Sequence, residues 1–198
     1  MTSTPAEVLT SEYENVGIPD GKLGIWLFLA SEIMLFGTLF TTYIVLRMAA
    51  PAWPVGWDVL NVPLATVNTA ILIISSVTYV MGHSRVQKRD IAGFNKYMGI
   101  TVLLALAFLV LKAFEYGAKF KLGIAPSTNI FYAIYFTTTG LHAIHIIGGI
   151  IWNVGLMWWA KNGGWDDKLF EGRVEYAGLY WHFVDLVWIF LFPALYLL

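Results

Sequence analysis

Residues 130–160 read IFYAIYFTTTGLHAIHIIGGIIWNVGLMWWA, with no Asp, Glu, Lys or Arg anywhere in the run. At about 1.5 Å of rise per residue, such a segment coiled as a helix more than crosses the roughly 30 Å hydrocarbon core of a bilayer. A barrel strand would be about ten residues long and would alternate apolar with polar. This run does neither. Four further apolar blocks accompany it, at 23–48, 62–82, 97–116 and 176–198. Pro51, Pro54 and Pro63 punctuate the chain after the first block, Gly117 and Pro126 after the third, and Gly163-Gly164 after the fourth. The expected fold is an all-α membrane protein: a bundle of five transmembrane helices over 22–198, behind a polar N-terminal tail at 1–21.

Composition agrees. The 198 residues are 58% hydrophobic and only 13% charged, where a soluble domain carries about a quarter charged; mean hydropathy is +0.67. A net charge of -1 leaves no electrostatic footprint for nucleic acid. With no cysteine there is no disulfide, thiol nucleophile, cysteine-ligated cluster or C-x-x-C-H haem attachment. The tail carries Glu7, Glu12, Glu14 and Asp20 without a basic n-region, so it does not read as a secretory signal.

Basic residues set the expected orientation. Five spans place the N-terminus and the second and fourth loops on one side, with Lys22, Arg85, Lys88, Arg89, Lys96, Lys161, Lys168 and Arg173. The other side has only Arg47, Lys119 and Lys121. That asymmetry puts the N-terminus in the cytoplasm and the C-terminus in the periplasm.

Ionisable side chains at membrane depth are costly and each calls for a reason. They are Glu32 in the first block, Lys112 and Glu115 in the third, His142 and His145 in the fourth, and His182 and Asp185 in the fifth. Spacing of three puts Lys112/Glu115, His142/His145 and His182/Asp185 each on one helix face. Counting helical rise, Glu32, His142, His145, His182 and Asp185 fall at depths that allow one buried polar layer. Glu115 lies near the outer interface, where it and Lys112 are expected to pair locally and snorkel toward headgroups.

Three readings of the layer stay open. Histidine and carboxylate at i, i+3 on neighbouring helices resemble a di-iron bundle, but that pattern wants Glu-x-x-His on two helices and a carboxylate on each of two others. Here the pairs are His-x-x-His and His-x-x-Asp. A mutually hydrogen-bonded core is the second reading. A proton relay is the third. Small residues at Ser75-Ser76, Gly140 and Gly148-Gly149 indicate close helix packing, and no phosphate loop, nucleophile elbow or zinc-protease helix occurs. From the residues alone the chain reads as an accessory membrane subunit with no visible catalytic machinery.

Several strings resemble subunit III of the haem–copper respiratory oxidases. They are the run GIWLFLASEIMLF at 24–36, then Val62-Pro63-Leu64 with Asn68-Thr69 and Ser75-Ser76, His83-Ser84, and Phe114-Glu115-Tyr116. The resemblance is closest in TGLHAIH at 139–145 with Ile147-Gly148-Gly149, and it closes with YWHFVDLVWIF at 180–190. It runs in order from about residue 22 to the end.

The resemblance implies a subunit without its own metal or haem, beside a catalytic subunit I and a subunit II of a proton-pumping terminal oxidase that carry haem and copper. It implies support of proton uptake and of the catalytic subunit's stability, with Glu32 near the proton or oxygen approach. Bound phospholipid and a larger respiratory supercomplex remain open. Mitochondrial-type members have seven helices and the first two are missing here; the five-helix form implies a bacterial inner membrane. Lys112 departs from the uncharged polar residue usual at its position. Glu32 within Ala-Ser-Glu favours the cytochrome c oxidase branch over quinol oxidases, which often carry aspartate there. Subunit III of a quinol oxidase or of a nitric oxide reductase complex, and a stand-alone di-iron membrane oxidase, are the alternatives.

Overall fold

The computed structural model describes residues 20–166 and 169–198, and these are helical with no strand among them. Five long helices carry the fold: α1 (Asp20–Ala49), α2 (Val62–Gln87), α3 (Ile91–Lys121), α4 (Ile130–Lys161) and α5 (Phe170–Phe192). All five are long and apolar enough to cross a membrane, the last continuing through a π turn at Pro193–Leu197. The tail and Lys168 lie outside the described residues except for Asp20 and Gly21, which open α1.

Helix ends follow local chemistry. Asn61, Asp90 and Asn129 cap α2, α3 and α4, their side-chain oxygens accepting from Leu64 N (3.1 Å), Gly93 N (2.9 Å) and Tyr132 N (2.9 Å). Pro63 sits in the first turn of α2, where its missing N–H costs nothing. The expected ends 62–82 and 97–116 are corrected here. Both helices run on through charged residues, to Gln87 and from Ile91 to Lys121, leaving residues 88–90 to reverse the chain. Charged side chains end an apolar block without ending a helix. The reversal instead uses Arg89 at φ 56 and the Asp90 cap, which Arg85 approaches at 3.4 Å. α5 likewise starts at Phe170, six residues before the expected 176.

α5 is the most enclosed span and packs against α1, α2 and α4, while α2 and α3 form a long antiparallel hairpin. Trp181, Trp188, Phe108, Phe94 and Tyr79 fill the centre. Their polar tips are satisfied: Trp181 Nε1 donates to Ser75 Oγ (3.3 Å), Trp188 Nε1 to Thr69 Oγ1 (3.0 Å) and Tyr79 OH to Val174 O (2.9 Å). Gly149 lets α4 approach α5, since a Cβ there would meet the Trp181 ring at 2.6 Å.

The two ends of the bundle are fastened differently. Lys22 and Glu175 pair at 3.0 Å where α1 and α5 begin. At the far end Arg47 donates to Leu198 O (2.9 Å) and to Tyr43 OH (3.1 Å). A single helical turn, Gly56–Val59, packs there against the Leu195 backbone, and Lys119 donates to Val59 O.

Candidate functional site

The seven ionisable residues fall into separate groups. The first joins α1 to α4: Glu32 Oε2 lies 2.9 Å from His145 Nε2, and both side chains are 13% exposed. His145 Nδ1 is 2.8 Å from Leu141 O, which can only accept, so Nδ1 carries a proton. One proton is then held between Nε2 and Oε2, as a carboxylic acid donating to imidazole or as an imidazolium–carboxylate pair. Either form is neutral overall, which is what a mid-span site in hydrocarbon demands. Phe36 packs edge-on against the imidazole (5.2 Å), Tyr180 stacks near it (6.5 Å), and Tyr180 OH donates to His145 O (2.8 Å).

The second group joins α2 to α5. His182 Nδ1 lies 2.6 Å from Ser76 Oγ, with Tyr79 edge-on at 5.7 Å. Asp185, one turn along, is buried with neither carboxyl oxygen bonded. His142 stands apart, fully buried with both ring nitrogens unbonded, between Trp188 (5.1 Å) and Phe108 (5.8 Å). The five layer residues therefore do not form one hydrogen-bonded layer. Depth placed them at similar heights, but only Glu32 and His145 bond to each other, His182 goes to Ser76, and His142 and Asp185 bond to none of the others.

Lys112 and Glu115 do pair, at 2.9 Å, and their side chains are only 5% and 3% exposed. This corrects the expectation that they reach out to headgroups. Lys112 Nζ donates to Glu115 Oε2, to Tyr196 OH (2.7 Å) and to Tyr135 OH (3.3 Å), using all three protons. Tyr196 OH lies 2.9 Å from Glu115 Oε1, to which it donates. Four rings surround the ammonium, those of Tyr116, Tyr135, Trp188 and Tyr196, with centroids at 5.3, 5.2, 5.1 and 5.3 Å. The charge stays inside because a carboxylate, two hydroxyls and four ring faces replace water. Sequence reasoning missed Tyr135, Tyr196 and Trp188, which look like core aromatics. Ser76 it read only as a packing residue.

Among the described residues no three of His, Asp and Glu come together in a way that could hold a metal ion. The Glu32–His145 pair is a hydrogen-bonded site that can hold a proton with no net charge.

A model of the family "Cytochrome c oxidase subunit III" matches residues 8–198. The chain is 37% identical to cytochrome c oxidase subunit 3 of Synechocystis sp., over 100% of this chain and 82% of that one. It is 36% identical to cytochrome c oxidase subunit 3 of Thermostichus vulcanus, over 91% and 89%. It is also 33% identical to quinol oxidase subunit 3 of Bacillus subtilis, over 89% and 86%.

Proposed function

Since this chain belongs to the cytochrome c oxidase subunit III family, we propose that it is the accessory subunit III of a proton-pumping terminal oxidase that reduces oxygen to water. It sits beside a catalytic subunit I and a subunit II, which hold the haem and copper, and carries no active site of its own. The observation that carries this reading is the family match along residues 8–198. The internal pairing of the ionisable side chains supports it: Glu32 goes to His145, and Lys112 to Glu115 and Tyr196, which suits a scaffold that must stay neutral in lipid. Glu32 and His145 hold one exchangeable proton at mid-span and are the groups through which the chain influences proton or oxygen approach in its partner.

The proposed location is a bacterial inner membrane, with the N-terminus cytoplasmic as the basic residues require. Reporters fused to the two termini test the orientation: activity of a cytoplasm-specific reporter at the C-terminus would reverse it. The apolar groove between α1 and α5, about 540 Å³ and lined by Ile33, Phe36, Phe40, Phe183, Val187 and Phe190, suits phospholipid acyl chains.

The decisive experiment is a reduced-minus-oxidised spectrum of what this chain retains from native membranes in mild detergent. Haem bands that shift with carbon monoxide are expected. A colourless preparation with iron on this chain alone would replace the reading with a di-iron oxidase. The similarity to the Bacillus subtilis quinol oxidase subunit favours a second reading, in which the electron donor is a quinol. Co-purification of a subunit with a dinuclear copper domain or attached haem selects cytochrome c instead.

A further inference from the structure

The outward faces of the bundle differ in what they leave unmet. On α3 the outward side chains Leu103, Leu106, Val110 and Phe114 are all apolar and exposed. On α1 the outward hydroxyls return to their own helix: Ser31 donates to Phe28 O, Thr38 to Met34 O, Thr41 to Gly37 O and Thr42 to Thr38 O. Both faces are compatible with lipid.

The seam between α2 and α5 is not. Ser76 and His182 lie within two residues of the midpoints of their spans, Val62–Gln87 and Phe170–Leu197, so they sit at the centre of the bilayer. His182 is half-buried. Its Nδ1 is engaged by Ser76, while its Nε2 is not enclosed and has no hydrogen-bond partner among the described residues. Beside it Asp185 is 5% exposed with both oxygens unbonded. About two helical turns along α2, toward the Gln87 end of its span, His83 Nε2 is also unbonded. Around these groups Ile73, Val80 and Ile189 are 48%, 54% and 43% exposed. Hydrocarbon can neither donate to nor accept from an imidazole nitrogen, so acyl chains are the wrong cover for this seam.

We propose that the α2–α5 seam, centred on Ser76 and His182, is a docking surface for a transmembrane helix of a partner subunit that presents a hydrogen-bonding side chain to His182 Nε2 at mid-membrane. The proposal rests on the subunit reading above. The apolar flanks Ile73, Val80 and Ile189 supply the packing and the imidazole sets the register, as polar residues do between membrane helices.

The chain has no cysteine, so single cysteines at Ile73, Val80 and Ile189, with Leu103 and Val110 on α3 as controls, can each carry a spin label. Collision with oxygen, which partitions into lipid, is compared with collision with a water-soluble nickel chelate, in the haem-containing complex and in the isolated chain. The expected result is that seam labels lose oxygen access in the complex while α3 labels keep it. His182→Phe should weaken retention of the haem-bearing partner by roughly two- to tenfold, the worth of one hydrogen bond. Seam labels that remain as open to oxygen as the α3 labels in an intact complex would overturn the proposal. So would seam labels reached by the nickel chelate, which would make the seam a hydrated crevice. If no haem protein is retained at all, the subunit reading fails instead, and the two failures are told apart by the spectrum.

Discussion

Replacing Lys112 by methionine fills similar space but removes the ammonium from between Glu115, Tyr135 and Tyr196. Glu115 then keeps only the Tyr196 hydroxyl as a partner, as a carboxylate that is 3% exposed. At 2.9 Å the lost ion pair corresponds to about 6 kcal/mol in a medium of effective dielectric about 20. Relief of lysine desolvation offsets part of this, and breaking a buried pair from one side costs about 3–5 kcal/mol in proteins. The expected loss for Lys112→Met is in that range. Lys112→Met with Glu115→Leu should recover most of it, because a buried pair replaced whole by apolar groups is close to neutral. Unfolding by SDS in mixed micelles, followed through the nine tryptophans, measures both. Trp188, whose ring centroid is 5.1 Å from Lys112 Nζ, is the local reporter. A single variant within about 1 kcal/mol of the parent, or a double variant no better than the sum of its singles, would refute the closed-cluster account.

Three other outcomes are expected. Tyr196→Phe removes a hydroxyl that accepts from Lys112 and donates to Glu115, and should cost about 1.5–3 kcal/mol in the same titration. At the other pair, Glu32→Gln can still donate to His145 Nε2 and should change stability by less than about 1 kcal/mol, while Glu32→Leu orphans that nitrogen and should cost about 1–3 kcal/mol; equal losses in the two variants would count against the shared-proton geometry. Gly149→Ala places a Cβ 2.6 Å from the Trp181 ring and should cost about 1–3 kcal/mol, with a change in tryptophan emission that Gly155→Ala, facing open space, does not produce.

The architecture was legible because apolar blocks of membrane length admit few alternatives. Asn61, Asp90 and Asn129 could have been read as caps, yet the ends of α2 and α3 were misjudged, because Arg85 and Lys96 looked like loop when they extend helices. Depth along each helix could be counted, and Glu115 bonds to Lys112 and Tyr196 and to none of Glu32 and the histidines. Azimuth could not be counted. Whether His145 or His142 faces α1 depends on how α4 is rotated against its neighbours, which only packing decides. The same gap hid Tyr135 and Tyr196: nothing in an aromatic block marks a hydroxyl that points at a charge on another helix. Lys112 was itself the available signal, since an ammonium so far inside an apolar block needs acceptors.

The order of synthesis gives the Lys112 cluster a history. Tyr196 follows Lys112 by 84 residues, which at about 5–20 residues per second is about 4–17 s of translation. Throughout that interval Tyr196 is not yet available to the charges of α3, and Tyr135, 23 residues after Lys112, comes earlier. The i, i+3 spacing of Lys112 and Glu115 lets one helix neutralise itself during that wait. A partner placed on another helix would bind as well in the finished bundle but would leave a bare charge at the moment of insertion. The pair is thus complete within α3, and Tyr196 closes over it when the last helix is in place.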